Sequence, residues 1–102
     1  MNNTELVKDY LTKHIGDNQF AIEQSLKRLI QNEDILNEFC YYLQNKKFIQ
    51  SPTEVCGYTA ESLYNKYKKH LKTVFDAYGF LILLREKPEY ALNLIERGFP
   101  IK

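Results

Sequence analysis

The stretch TVFDAYGFLILLREKP, residues 73–88, decides how the rest of this chain is read. Apolar residues run almost without a break from Val74 to Leu84, and only Asp76 carries a charge. The segment FLILL alone would suit a strand. The full length of the run and the absence of β-turn signals around it favour a helix instead. A helix that is apolar nearly all round is a buried one, so the sequence predicts a central helix over Val74–Glu86. Thr73 with Asp76 three places on resembles a capping box, Asp standing for Glu, and marks a fresh start. Pro88 at a first helical position opens a further helix, which Gly98 closes.

Working back from this segment, Thr59 caps a short helix that directs Ala60, Leu63, Tyr64 and Tyr67 inward. The lysine-rich run KYKKHLK, residues 66–72, either ends that helix or continues it. Residues 48–58, FIQSPTEVCGY, break the helical period. Between Pro52 and Gly57, Thr53 to Cys56 reads as extended or as a brief edge strand.

Three helices precede this connection. Asn3 or Thr4 caps the first, which repeats Leu6, Val7, Tyr10, Leu11 and Ile15 and stops at Gly16. Asp17 or Asn18 caps the second, whose apolar positions are Phe20, Ile22, Leu26, Leu29 and Ile30. After Asn32 the third presents Ile35, Leu36, Phe39, Cys40 and Leu43, with Lys46 and Lys47 at the negative end of its dipole. The expected architecture is an all-α bundle of five or six helices. Residues 1–102 are read as one domain, with a three-helix half over 1–47, an irregular connection over 48–58 and C-terminal helices over 59–102.

Composition supports a folded chain. The 102 residues include 44% hydrophobic and 14% aromatic residues at a net charge of +1, which is not the profile of disorder. That length suits one domain with one shared core. No apolar run approaches the roughly 18–20 residues of a membrane span, and MNNTELVKDY has no leader pattern. A cytoplasmic protein is expected. Cys40 and Cys56 are then read as two free thiols.

Charge is uneven. Residues 1–45 carry net −3, residues 46–72 net +4, and residues 73–102 balance. Such asymmetry points to a directional partner surface, with an acidic partner docking on the middle segment.

The region 59–85 has spacing like that of a helix-turn-helix. Counting from Thr59, Leu63 is fifth and Val74 sixteenth. Two positions depart from the pattern. Lys68 stands where a glycine makes the turn, and Lys69 where an apolar residue follows, with Leu71 two places late. The second helix also lacks the Arg, Lys, Asn or Gln that reach base edges.

Gly57-Tyr58-Thr59-Ala60, Leu63, Ala77-Tyr78, Leu81, Leu84-Arg85-Glu86, Pro88, Ala91-Leu92, Ile95, Gly98 and Pro100 resemble the C-terminal half of short uncharacterised proteins of low-GC Gram-positive bacteria. The resemblance covers about the last 45 residues. It implies no assigned activity and transfers no site residue.

Chemistry-bearing patterns are few. The carboxylate pairs Glu5/Asp9 and Asp34/Glu38 lie at helical spacing near helix starts, where they serve as dipole partners on polar faces. His14, His70, Cys40 and Cys56 have no zinc-ligand spacing. There is no glycine-rich phosphate loop and no G-x-S-x-G. No catalytic residue, metal or cofactor is expected. Gly79 within the apolar helix suggests close approach of another helix. Arg85 suits a cap on the helix end.

Two binding readings remain. The first is a protein-interaction or regulatory module, its partner another protein or a second copy. Tyr41, Tyr42, Phe48 and Tyr58 are its candidate interface, since the third helix cannot bury Phe39, Tyr41 and Tyr42 on one face. The second is a DNA-binding regulator contacting phosphates through Lys66, Lys68, Lys69, Lys72 and Thr73. For the lysines, a solvated turn is the alternative to either.

Overall fold

Side-chain caps fix where most of the helices begin. The computed structural model describes residues 2–99. Among them are six helices: α1 (Asn3–Ile15), α2 (Gln19–Ile30), α3 (Glu33–Asn45), α4 (Ala60–Lys66), α5 (Val74–Glu86) and α6 (Pro88–Glu96). The architecture is all-α, and the one β feature among the described residues is an isolated bridge. No described helix is long and apolar enough to cross a membrane.

The chain divides into two compact units, one up to Ile49 and one from Gln50 onward. In the first, α1 packs on α2 and α3, which also pack on each other. Asn2 caps α1, one residue earlier than its sequence suggests. Its Oδ1 accepts from the Glu5 N–H at 2.8 Å, and its own N–H donates to Glu5 Oε1 at 3.3 Å. Asn18 caps α2 through the Ala21 N–H at 3.0 Å. Asn32 ends α2 rather than capping α3: buried, it donates Nδ2–H to the Arg28 carbonyl at 3.0 Å.

The core of this unit is Val7, Leu11, Ile22, Leu29, Ile35, Leu36, Phe39 and Cys40. Two residues expected on the apolar face of α2 lie outside it, with Phe20 73% and Ile30 49% exposed. Helical geometry explains both. At 3.6 residues per turn, Ile22 and Leu29 nearly eclipse, Phe20 sits on the opposite side, and Ile30 lies about 80° away. Glu38 departs the other way. Expected on a polar face, it is buried, because the inward stripe of α3 widens to take in the position beside Ile35.

The second unit is organised around α5, against which α4 and α6 both pack. Every residue from Val74 to Leu84 is buried or half-buried, Gly79 being half-buried, and exposure begins at Arg85. The expected capping box is present. Thr73 Oγ1 accepts from the Asp76 N–H at 3.0 Å, while the Thr73 N–H donates to Asp76 Oδ2 at 3.1 Å. Thr59 and Ser62 make the equivalent box at α4. The lysine-rich run ends α4: the Leu71 N–H donates to the Tyr67 carbonyl at 2.8 Å, and a new helix starts at Val74.

Before α4, Val55 and Tyr58 exchange backbone hydrogen bonds at 2.8 and 2.9 Å. Cys56 and Gly57 between them have φ of 53° and 82°, the two positive values that a type I′ turn demands. The extended run expected at 53–56 therefore stops at Val55, and Cys56 belongs to the tight turn itself. Past α6, Gly98 (φ 75°) turns the chain so that the Phe99 N–H reaches the Leu94 carbonyl at 2.7 Å. The apolar residues that follow Gly98, Phe99, Pro100 and Ile101, suit a tail that packs back on the fold; Phe99 is buried, and Pro100 and Ile101 lie outside the described residues.

Candidate functional site

The outer face of α6 carries Glu89, Leu92, Asn93 and Glu96 at i, i+3, i+4 and i+7, on the side away from the buried Ala91. Together with Ile95 and Tyr58 they line a groove of about 550 Å³. Leu92 is 40% exposed there, and Glu89 and Glu96 place carboxylates on the rim. Tyr90, on the same helix, is 58% exposed. The groove thus offers apolar surface between two like charges.

Tyr58 reaches this groove because the Cys56-Gly57 turn folds its backbone against Val55. Its side chain hydrogen-bonds to Tyr67, which holds its hydroxyl above the ordinary tyrosine range, with a smaller contribution from burial.

Tyr67 also belongs to the second feature of this unit. With Lys66, Lys68, Lys69 and His70 it lines a pocket of about 350 Å³ that Gly98 and Phe99 close. Phe99 is held by three rings: Tyr67 at 4.9 Å, Phe80 at 5.1 Å, and His70 stacked at 5.2 Å and 15°. The lysines remain outside. Lys66, Lys68, Lys69 and Lys72 are all exposed. Lys66 Nζ lies 5.7 Å from the Tyr67 ring centroid, and Lys68 Nζ 5.4 Å from that of Tyr64. Such contacts contribute about 0.5–1 kcal/mol at exposed sites and hold the ammonium groups in place.

Thr73, grouped with these lysines in the sequence reading, is occupied by its cap with Asp76. The connection from α4 to α5 runs over residues 67–73, longer than the three- or four-residue turn of a helix-turn-helix. With α5 covered from Val74 to Leu84, that helix has little surface to offer a groove of DNA.

The other three candidate interface residues lie in the first unit. Phe39 is buried, leaving Tyr41 and Tyr42 half-exposed, as their crowding on α3 predicts. The rings of Tyr42 and Phe48 lie 5.0 Å apart, each covering part of the other. A groove of about 410 Å³ in this unit is lined by Asn2, Asn3, Asn37 and four other residues, Ile30 and Leu36 among them. Asn3 Nδ2–H donates to Asn37 Oδ1 at 2.8 Å within it, with Ile30 and Glu33 alongside. The Asn3–Asn37 bond ties α1 to α3 across this groove.

Several titratable groups of the first unit serve local structure. Glu5 completes a cap, and Asp9 pairs with Lys13 at 3.2 Å. The His14 ring lies 4.0 Å from that of Tyr10, which meets Phe39 edge-on at 5.1 Å. Cys40 and Cys56 are both free thiols; Cys40 is buried and its pKa is pushed up to about 11 by that burial. Among the described residues no three His, Cys, Asp or Glu side chains come together to hold a metal ion.

Tyr58 is the one groove residue among the candidate interface residues, and Leu92, Glu89 and Glu96 are not among them. The signal was present in the i, i+3, i+4, i+7 spacing on α6, opposite the position where Ala91 must pack. The chain matches no known protein family, and comparisons with curated proteins and with solved structures find no match either.

Proposed function

We propose that this is a non-catalytic protein-interaction module of the cytoplasm, docking a partner polypeptide in the groove formed by Tyr58, Leu92 and Ile95. The observation that carries this reading is the pairing of an apolar floor with the carboxylates of Glu89 and Glu96. A matching partner presents aliphatic side chains with Lys or Arg on either flank. Apolar burial then supplies affinity, and the charges fix register and exclude acidic competitors.

The test is an NMR titration of the 15N-labelled protein with a synthetic amphipathic peptide bearing a leucine stripe flanked by lysines. A twin with glutamate at each lysine position serves as control. The reading predicts shifts at Tyr58 and over Glu89–Glu96 with the lysine peptide and none with its twin. No shifts there with either peptide, or equal shifts with both, would contradict it.

A second reading, nucleic-acid binding, is supported by the four exposed lysines between Lys66 and Lys72. It predicts duplex binding that weakens tenfold or more between about 50 and 200 mM salt and is lost in Lys68→Glu/Lys69→Glu. Fluorescence anisotropy with a labelled duplex decides it, and absence of binding at the lower salt removes it.

A further inference from the structure

The acid-rimmed groove and the basic turn adjoin at the end of α6, where Gly98 of the lysine-lined pocket donates its backbone N–H to the carbonyl of Ile95 in the groove at 3.0 Å. Tyr58 walls the groove and Tyr67 walls the lysine-lined pocket. A single stretch of surface therefore carries carboxylates (Glu89, Glu96) on one side of an aromatic seam and ammonium groups (Lys66, Lys68, Lys69) on the other.

Such a surface is complementary to itself. A two-fold axis through the seam sets each copy's carboxylates opposite the other copy's lysines, twice over, with apolar side chains between. This is the isologous arrangement of a closed dimer. A basic peptide would satisfy only the acidic half and leave the lysines idle, whereas a second copy satisfies both halves. We infer that the partner is a second copy of this chain, paired across the Tyr58–Tyr67 seam with the Glu89/Glu96 rim of each copy on the Lys66–Lys69 turn of the other. The inference rests on the docking role proposed for the groove and names its occupant.

Sedimentation equilibrium on the full chain tests it through two variants, Glu89→Lys/Glu96→Lys and Lys68→Glu/Lys69→Glu. The wild type should approach twice the 12.1 kDa chain mass. Its association should weaken at least tenfold between about 50 and 500 mM salt, as charge pairs are screened. Each variant alone puts like charges opposite each other and should sediment as a monomer. Mixed in equal amounts, the two should return the dimer mass, because the all-basic surface then faces the all-acidic one. Restoration also shows that both variants are folded.

A wild type that is monomeric at every concentration would overturn the inference. So would a dimer indifferent to both substitutions, or a mixture that stays monomeric. The lysine-peptide titration separates this failure from that of the docking role. A monomeric wild type that still binds the peptide through Glu89–Glu96 refutes self-pairing alone, and one that binds no peptide refutes both.

Discussion

In the unit that ends at Ile49, α1, α2 and α3 each turn one face inward, and no helix is enclosed. From Gln50 onward, α5 supplies Val74, Ala77, Tyr78, Phe80, Leu81, Ile82 and Leu84 to the interior, while α4 and α6 act as its cover. Concentrating the core in one helix has a surface consequence. α6 needs only Ala91 fully buried, so its outer positions are released, and these are the ones that build the groove. The first unit leaves apolar side chains exposed as well, Phe20 above all. Isolated apolar residues are ordinary on protein surfaces. A groove with charges on its rim is a more specific feature than exposure alone.

The two cysteines, one in each unit, give the largest contrast to test. Cys40 is buried with its pKa near 11, and Cys56 is exposed on the turn. At pH 8 the thiolate fraction of Cys40 is roughly a hundredfold or more below that of an ordinary thiol. A chromogenic disulfide reagent should therefore modify one thiol rapidly and the second only on unfolding. Two equally fast phases would break the contrast. The same burial makes stability fall as pH rises from about 9 toward about 11. In that window the unfolded thiol releases a proton that the folded one keeps.

Next in size is the core itself. Leu11 and Leu81 are both 0% exposed, but α5 is held between two helices and has less room to collapse. Leu81→Ala should cost about 3–4 kcal/mol and Leu11→Ala about 2–3 kcal/mol, read by chemical denaturation. Equal costs would mean that enclosure of α5 adds nothing. Thr73→Ala removes the side-chain acceptor of the α5 cap and should cost about 1 kcal/mol, with hydrogen exchange quickening first at Asp76. The smallest effect is a gain. Cys56→Asn puts a residue tolerant of positive φ into the I′ turn and should stabilise by about 0.5 kcal/mol, net of the 3.9 Å thiol contact to the Leu84 carbonyl. A loss would show that this contact outweighs the strain at φ 53°.

Much of this fold was legible in the chain. The apolar run, the Thr73–Asp76 box and Pro88 together mark α5 and the start of α6, because each is read along one contiguous stretch of chain, the box and the proline over four residues or fewer. What was not legible depended on angle and on partners. Phe20 lies two residues before Ile22 and therefore on the far side of α2, although both are apolar. Glu38 looks like one more surface carboxylate until the packing around α3 covers it. Tyr58 was recognisable as an interface candidate, but its neighbours Leu92 and Glu96 come from α6, far along the chain. Only the folding of the second unit brings them together.

The proposed docking of a polypeptide belongs to the groove, and not to exposed apolar surface by itself. It is tested most directly by the affinity of the lysine peptide for two variants, Leu92→Glu in the groove and Phe20→Glu at the most exposed apolar position of the first unit. Calorimetric titration should show binding weakened at least tenfold by Leu92→Glu and unchanged by Phe20→Glu. Equal losses in the two, or a loss confined to Phe20→Glu, would contradict the account.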